Sequence, residues 1–562
     1  MQPKKITIPQ SAAIQAAALS KELNISVILA QLLINRGIKT AQAAEKFLNT
    51  KLADFSDPFL LGQMKQAVGI IQKHLKDKNK IMVFGDYDAD GITSVAVLKN
   101  TFKKMGADVA HYLPHRVKEG YGLAKNILNI CCQNQARLLI TADCGTANLK
   151  EVSQLRANGI EVVITDHHEP SGHGLPEASA LINPKVNGNA AEFKDLAGVG
   201  VSFKLCQALT RDYLEEDLDL VCLGTIADVV PLIGENRIIA KFGLAKFGAT
   251  KKAGLKALIE SSRMQNKKIT STSISYILGP RLNASGRMDT PESALRLLLT
   301  EDTVEASELA KTLESLNRQR QQIEAKIIQE AESMIASEVN FKDHRVIVVA
   351  ASGWHKGVLG VVASKLADKF YRPTVVISLD KDICRGSGRS IKNFHLFDAL
   401  KDCAEFLDGF GGHAHAVGLS ITKENIQRFR EKINQHAWEK LTFEDLLPDL
   451  DVDMELSLAD LKEEVIAELD LLGPHGCGNP EPLFYTRGLK LKGQLQVLAR
   501  DTLKFWVTDG KKSVQAIGFG LAELAESLLN APSFNLVYTP RFDSWQATTS
   551  IILEVKDIFC EG

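Results

Sequence analysis

Between residues 65 and 230 one pattern repeats five times. The runs "KIMVFG", "DVAHYLP", "ARLLITA", "IEVVITD" and "ASALINP" are short and apolar on both faces. Helical stretches such as "ITSVAVLKNTFKKMG" and "LKEVSQLRANG" lie between most of them. Strands with no polar face need cover on both sides. The pattern therefore predicts an α/β domain whose parallel sheet is buried between helices.

The 562 residues leave room for three or four domains. Residues 1–64 read as a peripheral helical segment, because "SVILAQLLINRGIKTAQAAEKFLN" is apolar at helical spacing. Residues 65–232 are the parallel-sheet domain and 233–340 a helical connector. The connector ends in "EDTVEASELAKTLESLNRQRQQIEAKIIQEAESMIASE", which has no Gly or Pro. It predicts a helix of roughly 30 residues, ~45 Å long, joining two lobes. Residues 341–440 restart the strand pattern at "HRVIVVAAS" and predict a second α/β domain. Residues 441–562 open on an acidic linker, "LTFEDLLPDLDVDMELS", and continue as short strands at hairpin spacing, predicting a small OB-like β-barrel.

Composition excludes little. A net charge of −1, with 24% charged residues, names no partner, so any nucleic-acid contact must be made by local basic residues. Nine scattered cysteines with no CxxC pair point to reduced thiols rather than disulfides or structural zinc. The N-terminus has no apolar signal region and no run reaches transmembrane length, so the chain is expected in the cytoplasm.

Function is written at the strand ends. "VFGDYDADG" places Asp86, Asp88 and Asp90 after one strand, "LITADCGT" places Asp143, and "VVITDHHEP" places Asp166, His167 and His168. "LGTIADVVPL" adds Asp228, at a strand or helix end. Carboxyl ends of strands in an open parallel sheet converge on one crevice. Six aspartates there, with no Lys or Arg inside the motifs, repel by several kcal/mol per pair at ~4 Å. Divalent cations resolve that, and mixed Asp and His ligands suit Mn²⁺ or Mg²⁺. Two ions about 4 Å apart activate a water and stabilise a leaving oxygen in phosphoryl transfer. Taken alone, "DYDADG" also reads as an Asx-rich turn or a single Ca²⁺ loop, although no bidentate Glu follows.

In order, "DYDADG", "TADCGT", "TDHHE" and "GTIADVVPL" resemble the DHH phosphoesterase superfamily, and the first three its RecJ-type single-stranded-DNA-specific exonucleases. "HRVKEGYGL", "LAGVGVSFKL", "GPRLNASGRM", "ASGWHKGVLGVVASKL", "RGSGRS", "GFGGHAHAVGLS" and "GPHGCGNPEPLF" extend that narrower resemblance. It implies a 5′→3′ exonuclease in DNA repair and recombination, releasing 5′-mononucleotides with two Mn²⁺ or Mg²⁺ ions. Asp88, Asp90, Asp143, His167 and Asp228 would be metal ligands, with Asp143 bridging. Asp86 would bind metal or orient the attacking water. His168 would face the phosphate, and Asp166 would orient an imidazole. The second α/β region resembles the DHH-associated domain. Its Ser387, Arg389, Gly412, His413 and His415 would grip phosphate, with Arg116, Arg281 and Arg287 as further candidates and Tyr121 stacking on a base.

The barrel interleaves Phe505, Trp506, Tyr538, Arg541, Phe542 and Trp545, a stripe that reads as core or as a single-strand grip. The implied monomer has a channel too narrow for duplex DNA. Its expected partners are single-stranded DNA with a 5′ end, a single-strand-binding protein and a helicase. A rival is a DHH phosphoesterase acting on short oligonucleotides or a small phosphorylated substrate, which needs no barrel. A second rival is a binding module with a decayed metal site, which should have lost ligands.

Overall fold

The computed structural model describes residues 4–170, 172, 174–186, 191–380, 383–543 and 550–561. They form two compact units, one of residues 56–230 and 234–448, the other of residues 4–55, 231–233 and 449 onward.

In the first unit, β1 (Ile81–Gly85), β2 (Ala110–Tyr112), β3 (Leu138–Ala142), β4 (Glu161–Thr165) and β5 (Ala180–Ile182) form a parallel sheet of order 2-1-3-4-5. Each lies in one of the five apolar runs. Every residue of β1 and β3 is buried. Helix α1 (Ala89–Lys104) packs against α2 (Gly198–Thr210) and α3 (Leu218–Ala227). Twelve consecutive residues of α2, Gly198 to Leu209, are buried, including Lys204. The Lys204 ammonium lies 2.7 Å from Glu235, whose other carboxylate oxygen accepts from the Ser56 N–H at 2.7 Å. Burial moves both groups toward neutrality, Lys204 down and Glu235 up. Glu235→Ala leaves that ammonium buried without its counter-charge and is expected to cost about 3–5 kcal/mol in urea denaturation.

Helix α4 (Gly279–Met288) leads to α5 (Thr303–Glu338), 36 residues capped by the Asp302 carboxylate. Its first turns pack on α4 and neighbouring connector helices. Its last turns, through Ile327, Ala331 and Ile335, share a core with the second α/β domain. That domain holds β6 (Ile347–Ser352), α6 (Leu359–Phe370), β7 (Thr374–Leu379), β8 (Cys384–Arg389), β9 (Gly409–His413) and β10 (Ala416–Ile421). Its sheet has order 9-10-8-7-6, parallel only between β6 and β7.

In the second unit, β11 (Phe484–Leu498), β12 (Thr502–Thr508), β13 (Ser513–Phe519), β14 (Ser533–Asp543) and β15 (Ser550–Glu561) close into a barrel through the β14–β11 pairing. Phe505 and Tyr538 fill it, and Arg541 is held by Glu481 and Glu554, both at 2.6 Å. Of the stripe, Trp506 stands exposed and Phe542 half-buried; Trp545 lies outside the described residues.

Two expectations change here. The N-terminal helices are not peripheral: Leu19, Leu29 and Leu33 share one core with Leu458, Leu472 and Phe505. Nor is 441–457 a plain linker, because Asp449–Asp451 pairs in parallel with the strand Lys5–Thr7. Periodicity reveals an apolar helix face but not what covers it. A three-residue strand pairing across the whole chain leaves no local signature. Among the described residues no single helix is long and apolar enough to cross a membrane.

Candidate active site

The order 2-1-3-4-5 sends the chain in opposite directions from β1, which opens a crevice at the carboxyl ends of β1 and β3. Asp86, Asp88 and Asp90 follow β1, Asp143 follows β3, and Asp166, His167 and His168 follow β4. Asp228 arrives by another route. It is the C-cap of α3, not a strand end.

The aspartates are held by backbone donors. Asp88 caps α1, its Oδ1 accepting from the N–H groups of Asp90 (3.0 Å) and Gly91 (3.2 Å). The N–H of Ala89 donates to Asn283 Oδ1 of α4 at 2.8 Å. Asp90 points the other way, into the first turn of α2, and accepts from Gly198 (2.7 Å) and Val199 (2.8 Å). A helix N-terminus is the place for a buried carboxylate. Burial and Asp88 nevertheless raise Asp90 to about 7. Asp143 sits at φ 65°, a left-handed conformation that Asp tolerates. Gly198 cannot carry a side chain, because its Cβ would fall 2.4 Å from Asp143 Oδ1.

The six predicted ligands converge. His167 Nε2 lies 3.3 Å from Asp143, 3.5 Å from Asp228 and 3.8 Å from Asp90. Ligand atoms of Asp90, His167 and Asp228 all lie within 4.8 Å of one another, as do those of Asp86, Asp88 and Asp143. Asp143 thus touches both groups. Burial, then repulsion from neighbouring acids, raises Asp86, Asp143 and Asp228 well above the usual carboxylate range. Burial, then His168, lowers His167 to about 3, leaving a neutral ring with a lone pair to give. Three buried atoms, Asp86 Oδ1, Asp143 Oδ1 and His167 Nε2, have no hydrogen-bond partner among the described residues. Orphaned buried acceptors carry a desolvation cost that cations would offset, and oxygen-rich sites with one imidazole suit Mn²⁺ or Mg²⁺. The donor set fits such ions.

Asp166 does not face that cage. Its Oδ2 accepts from the Thr146 N–H (2.9 Å); its Oδ1 accepts from the N–H groups of His167 (2.8 Å) and His168 (3.1 Å) and from His168 Nδ1 (2.8 Å). Burial disfavours its charge, but the His168 hydrogen bond and charge outweigh this and hold it at about 2. Burial likewise opposes the His168 charge, and Asp166 overcomes it, raising His168. The half-exposed His168 ring is 4.9 Å from that of Tyr121. Asp166→Asn should leave the chain folded and slow cleavage about 10–100-fold, as measured by steady-state kinetics and circular dichroism.

Opposite the acids lies a set of cations. The Arg116 guanidinium sits 4.7 Å above the Tyr87 ring. Burial, then Arg116 and Arg320, pushes Arg287 down to about 9. Burial, then Arg116, lowers Arg389, and burial, then Arg389, lowers His413. Ser387 Oγ and Arg389 reach over Gly360 in the first turn of α6. Burial is the larger cause for Arg287 and Arg389, and arginines clustered in this way suit an anionic ligand. Arg281 does not join them: it is ion-paired with Glu314 of α5 at 2.7 Å and bonded to the Ile277 carbonyl. In the fold it braces two helices, α4 and α5. Gly412, at φ 130°, serves the β9–β10 hairpin, where a Cβ would come 2.3 Å from the Ala416 carbonyl oxygen. His413 and His415 are exposed there.

Asn283 and the α2 N-terminus lie in "GPRLNASGRM" and "LAGVGVSFKL", and neither stretch by itself reveals their roles. "GPRLNASGRM" draws the eye to its arginines, yet its Asn secures the aspartate turn and its Gly286 packs on the Tyr87 carbonyl.

A DHH-type metal domain, a facing DHH-associated domain and an OB barrel define the class. Residues 80–225 match the DHH family, N-terminal domain, 343–439 the DHHA1 domain and 452–557 the RecJ OB domain. The chain belongs to the RecJ family of single-stranded-DNA-specific exonucleases. It is 40% identical to the Bacillus subtilis (strain 168) single-stranded-DNA-specific exonuclease RecJ, over 96% of this chain and 69% of that one. It is 35% identical to the Salmonella typhimurium counterpart, over 95% and 96%. The crystal structure of Thermus thermophilus RecJ with Mn²⁺ superposes with a TM-score of 0.85 at 28% identity, covering 99% of this chain and 80% of that one.

Proposed function

We propose that this chain is a metal-dependent exonuclease that degrades single-stranded DNA from its 5′ end to 5′-mononucleotides, in DNA repair and recombination in the cytoplasm. The carrying observation is the cage of buried, unpartnered ligand atoms at the sheet crevice. Support comes from the relatives, named single-stranded-DNA-specific exonucleases, and from the Thermus thermophilus structures with Mn²⁺ and Mg²⁺.

In this reading Asp86, Asp88, Asp90, Asp143, His167 and Asp228 would hold two divalent cations, with Asp143 the candidate to serve both. When bound, the ions lower the pKa of a water and offset charge on the phosphate oxygens. Asp86, whose buried Oδ1 has no hydrogen-bond partner among the described residues, would bind metal or orient that water. His168, fixed and kept charged by Asp166, donates to the scissile phosphate. Arg116, Arg287, Ser387 and Arg389 anchor the 5′ phosphate, and Tyr121 stacks on the adjacent base. The enzyme works as a monomer, handed its strand by a helicase and a single-strand-binding protein.

The test is a 5′-labelled single strand against its matched duplex, with Mn²⁺ and with chelator. Cleavage of the single strand alone, and only with metal, is expected; equal cleavage of both defeats the reading. Faster cleavage of dinucleotides than of long strands would favour the small-substrate phosphoesterase instead. Arg389→Ala is expected to reduce any preference for a 5′-phosphate over a 5′-hydroxyl by about tenfold, the worth of one charge-assisted hydrogen bond.

A further inference from the structure

The anchoring residues do not exhaust the space beside them. A cavity of about 660 Å³ opens next to Tyr87 and Arg116 and runs along β8, past Ser387 to Arg385, with Lys356 on its wall and Gly411 in its lining. One phosphate group fills a small part of that volume. Alternate residues of β8, Arg385, Ser387 and Arg389, share one face and are spaced about 7 Å apart. Their partners on β10 are Ser420, Gly418 and Ala416, none of which carries a charge. Lys356 is neutralised by Asp380 at 2.6 Å. Arg385 is exposed, and no hydrogen bond or ion pair among the described residues engages its guanidinium. The cavity therefore offers a second, unspent cation one step beyond the phosphate anchor.

We propose that this cavity admits a 5′ end carrying a second phosphate, the first held at Ser387 and Arg389 and the outer one reaching Arg385. This rests on the 5′-phosphate anchor proposed above. The reaction is unchanged in kind. Water adds to the phosphorus joining the first and second nucleotides, the bond from that phosphorus to the 3′-oxygen breaks, and the oxygen leaves with a proton. The first product is then a nucleoside 5′-diphosphate, and the shortened strand retains a 5′-monophosphate.

The experiment uses the full chain with Mn²⁺ and three single strands of one sequence, ending in 5′-hydroxyl, 5′-monophosphate or 5′-diphosphate. First products are separated by anion-exchange chromatography. The wild type is expected to release a nucleoside 5′-diphosphate from the third strand. Arg385→Ala is expected to slow that release about tenfold and to change release from the monophosphate strand by less than about twofold. The proposal fails alone if the wild type leaves the diphosphate strand intact or if Arg385→Ala slows both strands equally. If Arg389→Ala leaves the response to 5′-phosphate unchanged, the anchor is wrong and the proposal falls with it.

Discussion

Asp143→Asn is expected to lower cleavage of single-stranded DNA by at least about 10³-fold while the chain stays folded. Asp143 is the residue that both ligand groups touch, so losing its charge weakens each of them. Asn keeps the size and tolerates the left-handed backbone at φ 65°. The same substitution should raise the melting temperature in chelator. It removes one buried carboxylate from a cluster in which Asp86, Asp88, Asp90 and Asp228 repel it. With saturating Mn²⁺ the order should reverse, because the wild type gains binding energy that the variant lacks. Differential scanning calorimetry with and without metal reads both signs. Substantial residual activity, or a variant less stable than wild type in chelator, counts against the shared-ligand cage.

Metal-free protein is expected to lose stability as pH rises from about 6.5 to 8. Asp90 has a folded pKa of about 7 against an ordinary 3.8, so from pH 3.8 up to about 7 the folded chain keeps a proton that the unfolded chain has released. Stability from this source falls as pH climbs and is gone above 7. Asp86, Asp143 and Asp228, raised by burial and mutual repulsion, act in the same sense. His168, raised by Asp166, adds a loss above its ordinary 6.5. Two groups oppose this at lower pH: His167, depressed to about 3, favours folding as pH rises to 6.5, and Asp166, at about 2, does so up to 3.8. Above 6.5 both contributions are complete and only the losses remain. Mn²⁺ should flatten or invert the slope, since it competes with protons for the same oxygens. Melting curves at pH 6.5 and 8 in chelator, then in Mn²⁺, test this; a flat or rising chelated profile would falsify it.

Much of the site was legible because each part of it is local. A run apolar on both faces names a buried parallel strand, and an acid directly after it names the crevice, so Asp86, Asp143 and Asp166 were readable one strand at a time. Asp228 was readable as an acid at a strand or helix end but not as which of the two, since "LGTIADVVPL" is apolar enough for either element. Arg281 and Arg287 are six residues apart in one motif, and nothing in that motif says which meets Glu314 and which donates to the Gly357 carbonyl. Tyr538 and Phe505 against Trp506 pose the same difficulty: alternation fixes that neighbours face opposite sides of the barrel, not which side is inside.

The sequence by itself determined the elements, the class of chemistry and the donor types, because backbone preference and ligand chemistry are properties of short stretches. Tertiary structure alone decided the rest: that Asn283 secures the aspartate turn from nearly two hundred residues away, that α2 offers its N-terminus to Asp90, that the N-terminal helices complete the core of the barrel unit, and that Arg385 has no ion pair among the described residues. Each depends on which surfaces meet after long loops close, and the cost of closing a loop grows only slowly with its length. Chain distance therefore constrains such meetings weakly, and the packing of the folded core selects them.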